Sequence, residues 1–171
     1  MSLTMLLRSI ALLSTIFVAL PLCAQQEDAD GAPAVWQETA VKLPAAPVKE
    51  NLLSFNPNAS GTMKFAIDAK SLTVEKDEVV RYTLVITSAA GASNVSYEGI
   101  RCKTMEKKAY AFGQADNSWS LAKRDAWDAI ADGRVNRQHI TLAQDFFCDG
   151  SRVAGKAENI IERIRRNRPL K

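Results

Sequence analysis

The 171-residue sequence predicts an α+β fold: an antiparallel meander of about five strands, two or three C-terminal helices packed on it, and one disulfide. Three observations predict this. Short β-rich runs separated by turn residues fill the stretch from Met63 to Gly113. Apolar residues recur near helical spacing after Trp119. Two cysteines, Cys102 and Cys148, close the two halves. Strands first and helices later argue against alternating units on a parallel sheet.

The chain opens with Arg8, an apolar run from Ile10 to Leu20, Pro21 and small residues. That layout is a secretory signal over residues 1–24, cleaved after Ala24, and the run is short for a membrane span. A lipoprotein signal acylated at Cys23 is the rival, but Leu22 occupies a position that wants a small residue. An uncleaved anchor is a third reading. Removing 24 residues from 171 leaves 147, enough for one ordinary core. Cys23 and Arg8 leave with the signal. The two remaining cysteines favour a disulfide in an exported chain. The 21 basic residues left against 19 acidic ones give too small an excess to imply nucleic acid.

Residues 25–50, rich in Ala, Pro and acid, read as a flexible leader, with Trp36 as an apolar anchor onto the domain. Residues 51–171 read as a single α+β domain. Its strands are "MKFAIDA", "SLTVEK", "VVRYTLVITS", "NVSYEGIRCKT" and "KKAYAFG". A two-residue turn at Ala90 and Gly91 pairs residues whose numbers sum to 181. It puts Val80, Tyr82, Leu84 and Ile86 on one face with Val95, Tyr97 and Gly99. Arg81, Glu98 and Cys102 then share the other face, and the helix ending at Cys148 should cover that side. Helices are expected in "SLAKRDAWDAIADG", in "NRQHITLAQDFFCDG", and in "AGKAENIIERIRRNRP", where Ala157, Ile160, Ile161 and Ile164 form a stripe.

The stretch "DAKSLTVEKDEVVRYTLVITSAAGASNVSYEGIRC", with "YAFG", Trp119, Trp127, Ile130 and "FFC", resembles the family named after cryptic neuronal protein one. The resemblance runs from about Leu43 to about Ile164, and "VVRYTLV" and "YEGIRC" are its most specific parts. It implies an exported bacterial protein of the periplasm or envelope, and it brings no catalytic residues.

The residues themselves offer little chemistry. His139 is the sole histidine, and no nucleophile-elbow pattern surrounds a serine. Cys102, His139 and Cys148 fall short of a zinc set, so neither metal nor cofactor is expected. The 45 residues between the cysteines suit a staple better than a thiol oxidoreductase. Arg81, Tyr97, Glu98 and Arg101 form the densest polar set: an ion pair under the helices, or a ligand pocket. Glu98 has no second acid beside it for glycosidase work. Arg163, Arg165, Arg166 and Arg168 suit a helix C-terminus; weak contact with anionic membrane is the alternative. The expected function is a non-catalytic binding or scaffold protein of the envelope. Its rival is an enzyme using carboxylate and tyrosine chemistry around Glu98 and Tyr97.

Overall fold

The computed structural model describes residues 35–57, 61–131, 133 and 136–171. The expected signal at 1–24, Cys23 and leader residues 25–34 lie outside the described residues. The sheet runs in sequence order, β1 (Leu52–Phe55), β2 (Lys64–Val74), β3 (Val79–Thr87), β4 (Ser93–Arg101), β5 (Glu106–Gly113) and β6 (Trp119–Leu121), all antiparallel. A two-residue strand, β7 (Asp128–Ala129), pairs with the start of β5. The meander is therefore longer than the five strands expected. "MKFAIDA" and "SLTVEK" fuse into one β2, whose pairing with β3 is broken by an irregularity between Asp68 and Thr73.

The helical half begins with α1 (Arg137–Thr141), which widens into a π-helical segment, Leu142–Phe147. A small hairpin of β8 (Cys148–Asp149) and β9 (Arg152–Val153) leads to α2 (Ala157–Arg165). As the stripe predicts, α2 buries Ile160 and Ile164 against the main core, with Ala157 and Ile161 packed beside them. The helix expected from "SLAKRDAWDAIADG" does not form. Its residues instead supply β6, an irregular link and β7, because strand β5 has an open edge to satisfy. Ala122 N–H donates to the Tyr110 carbonyl at 2.9 Å, extending that edge pairing. Its apolar residues then part company: Leu121 is exposed, Trp127 meets Tyr110, and Ile130 reaches the core.

The β3–β4 register differs from expectation by one residue. Pairs sum to 180, so Tyr82 faces Glu98 and Arg81 faces Gly99. The cause is the loop. Ser88 N–H donates to the Ala92 carbonyl at 2.8 Å and Gly91 N–H to the Ser88 carbonyl at 3.0 Å, with Gly91 at φ 86°. Three residues, not two, make the turn, and a glycine in the left-handed region closes it. Every face assignment on β4 is exchanged. Glu98, Ile100 and Cys102 join Val80, Tyr82 and Leu84 beneath the helices. Arg81, Thr83, Val85, Tyr97 and Gly99 share the opposite face. Cys102 bonds Cys148 as predicted, with Cα atoms 5.5 Å apart, but on the Tyr82 side and not on the Arg81 side.

Strand β3 is buried without a break from Val79 to Val85. Such a run needs cover on both faces. Helices cover one. The other is covered by residues 36–48, an irregular strap that carries polar and aromatic contacts to the sheet. Residues Trp36–Lys171, strap included, form one compact unit.

Candidate functional site

Two polar constellations occupy opposite faces of the sheet. On the helix face, Glu98 is a hub. Its Oε1 accepts from Ser96 Oγ at 2.6 Å, and its Oε2 accepts from Tyr82 Oη at 3.1 Å and pairs with His139 Nε2 at 2.7 Å. The Glu98 side chain is 12% exposed and that of His139 7%. β4 supplies Ser96 and Glu98 at strand spacing, β3 supplies Tyr82 directly opposite, and α1 lowers His139 onto the sheet. Burial alone would raise the Glu98 carboxyl; the His139 bond and charge and the Ser96 hydroxyl outweigh it and hold the group below its ordinary value. The carboxylate is ionised with both oxygens hydrogen-bonded, and burial keeps the Tyr82 phenol protonated.

Beside this hub lies an open groove of about 410 Å³. Lys107, Ala109 and Phe112 form its floor, directly opposite Ile100, Glu98 and Ser96 in the β4–β5 register. Lys123, Arg124 and Asp128 rim it, with Arg124 and Asp128 paired to each other at 2.8 Å.

On the strap face, Arg81 forms a two-pronged pair with Asp77, at 3.1 and 2.6 Å. Both side chains are almost wholly buried. Asp77 also accepts from Thr39 N–H at 2.7 Å, and its own carbonyl accepts from Trp36 Nε1 at 2.9 Å. Burial pushes the Asp77 carboxyl up, but Arg81 and the backbone donors win and hold it below its ordinary value. Glu38 of the strap accepts from Tyr110 Oη at 2.6 Å and Lys108 Nζ at 2.8 Å, and lies 3.5 Å from Arg81. The Trp36 ring carries the Arg101 guanidinium at 3.8 Å, and Trp119 Nε1 donates to the Pro44 carbonyl at 2.8 Å. Tyr97 packs against Tyr110 and Trp119.

The predicted polar set is thus divided. Arg81, Tyr97 and Arg101 serve the strap face, and Glu98 faces the helices. The tyrosine bonded to Glu98 is Tyr82. Arg163 donates to the carbonyls of Phe146 and Ala154, pinning the π-helical segment, while Arg165 and Arg166 pair with Glu162. Asp77 lies between two strand patterns and Glu38 within the stretch read as leader, so neither stands out in the sequence. The lone histidine and the isolated Trp36 were the available signals. No group of three or more His, Cys, Asp or Glu among the described residues could hold a metal ion.

The model of the CNP1-like family matches residues 31–165. The chain belongs to the CNP1-like family. The match spans the strap, the sheet and all of α2, so in this family member both constellations lie inside the shared region. No curated protein and no solved structure matches the chain. No helix among the described residues is long and apolar enough to cross a membrane.

Proposed function

We propose that the protein is an exported, non-catalytic binding or scaffold protein of the bacterial cell envelope. The observation that carries this reading is the engagement of both Glu98 oxygens. A general base must reach the substrate proton it takes. Glu98 instead spends both oxygens on Ser96, Tyr82 and His139, and is held ionised by them. What stays open to a partner is the adjoining groove, with Ala109 and Phe112 beside Lys107 on its floor and a rim carrying Lys123 and Arg124. A photo-cross-linker placed at Lys123 in living cells should give a discrete adduct with an envelope component. Loss of cross-linking to anything but solvent would sink the reading. Its compartment is checked separately: the mature chain should begin at Gln25 in the periplasmic fraction, whereas acylated Cys23 in membranes would make it a lipoprotein.

One observation favours an enzyme using carboxylate and tyrosine chemistry: Ser96, Glu98 and His139 form one network beside the groove. In that case Tyr82, not Tyr97, is the tyrosine concerned. Labelling of Ser96 by a fluorophosphonate, abolished in Glu98→Gln, would support it.

A further inference from the structure

The groove beside the Glu98 hub carries a charge pattern that narrows what it can hold. Its volume, about 410 Å³, is within the range of small-molecule sites. Three cations, Lys107, Lys123 and Arg124, line it against one carboxylate, Asp128. That carboxylate is committed: Arg124 forks onto it, with Nη1 at 2.9 Å and Nη2 at 2.8 Å. Lys107 and Lys123 make no ion pair with any described residue. Lys107 does help to hold Glu98 ionised. Glu98, however, lies outside the groove lining and is bonded to Ser96, Tyr82 and His139. Even with Glu98 counted, cations outnumber carboxylates by three to two. The apolar part of the groove is equally open. Phe112 is 46% exposed and Leu121 70%. Ala109, Ala122 and Ala126 add no side chain beyond the β-carbon, so a smooth apolar surface adjoins two ammonium groups without an ionic partner.

We propose that this groove binds a small soluble aromatic anion, whose charge is met by Lys107 and Lys123 and whose ring lies on Phe112. The inference rests on the reading of this groove as the site open to a partner, and adds the chemistry of the occupant. A rigid ring suits a surface of alanines and one phenylalanine, because it has little rotamer freedom to lose. Ring-on-ring contact adds to the area covered. A cation would meet two ammonium groups, and could gain Asp128 only by taking it from Arg124. A neutral ring gains the apolar contact alone.

Titration calorimetry with sodium 2-naphthoate tests it on the full mature chain. Saturable one-site binding is expected, weakened by salt, with 2-naphthol and 2-naphthylmethylamine at least about threefold weaker. Asp128→Asn removes the opposing charge and frees Arg124. It should tighten naphthoate binding by about two- to five-fold, the worth of one exposed ion pair. A gain of affinity cannot come from misfolding. Phe112→Ala should weaken binding by about three- to tenfold, the worth of an aromatic contact, with circular dichroism unchanged. The alcohol or the amine binding as well as naphthoate, no tightening in Asp128→Asn, no loss in Phe112→Ala, or binding confined to phosphatidylglycerol vesicles would each overturn the proposal. The cross-link at Lys123 reads the partner claim separately. An envelope adduct without naphthoate binding would sink the aromatic anion and leave the partner reading standing; naphthoate binding without an adduct would do the reverse.

Discussion

Glu98 and Gly99 are neighbours in sequence and govern opposite faces. Glu98→Gln keeps the shape but removes the charge that draws three donors together. It should cost about 2 kcal/mol at neutral pH, the scale of hydrogen bonds to a charged group. The pH dependence follows in sign. Glu98 and Asp77 both titrate below their ordinary values when folded. Their contribution is therefore complete above the unfolded carboxylate range, about 4 to 4.5, and is lost as pH falls through the lower folded values. Urea melts from pH 7 down to pH 3 should show Glu98→Gln losing less stability over that fall than the parent does. Equal losses would mean Glu98 is not held ionised. At Gly99 a β-carbon would lie 2.6 Å from Tyr110 Oη and 2.9 Å from Val79. The Tyr110 hydroxyl cannot swing away freely, because Glu38 holds it. Gly99→Ala should cost about 1–3 kcal/mol by overpacking, read from thermal melts.

At the scale of elements, the strap is the piece with the least regular structure and the most specific anchors. It makes no ladder, so its hold rests on Trp36, Glu38, Thr39 and Pro44. Asp77→Ala leaves the buried Arg81 charge without its principal partner, a loss of about 3–5 kcal/mol. Hydrogen exchange should then speed up across residues 36–48 before it does in β3. Simultaneous loss of protection everywhere would mean the strap is not a separate unit of stability. These contacts also explain what the sequence could not disclose. Strands β3 to β5 and α2 announce themselves through β-branched runs and a helical stripe. A strap of single anchors has no period to detect. The face exchange on β4 turned on whether Ala89 belongs to the turn, a one-residue question that composition does not answer. The absent helix after Trp119 shows tertiary pairing overriding a weak helical pattern, since the edge of β5 offered those residues backbone partners.

For the molecule as a whole, the disulfide joins the two halves that the sheet-then-helix order keeps apart in sequence. Cys102 closes the β3–β4 hairpin, and Cys148 follows the π-helical segment, 46 positions later. Between them lie β5, β6, β7, α1 and the π-helical segment, so the bond closes a loop that leaves the sheet, forms its last strands and returns through the first part of the helical half. In the chain-entropy account a loop of this length restricts the unfolded state by about 4 kcal/mol, against a total stability of about 5–15 kcal/mol for a domain. The bond also sits in the main core, where Tyr82 packs on Phe147 at 5.0 Å between centroids. Replacing both cysteines with Ala should lower the midpoint of thermal unfolding by roughly 10–20 °C, without changing the folded-state circular dichroism. Reduction of the parent protein should match it. A drop of only a degree or two would mean that the core alone holds α1 and the π-helical segment on the sheet. A cysteine-free variant that unfolds altogether would place this domain among those that depend on their staple for a folded state.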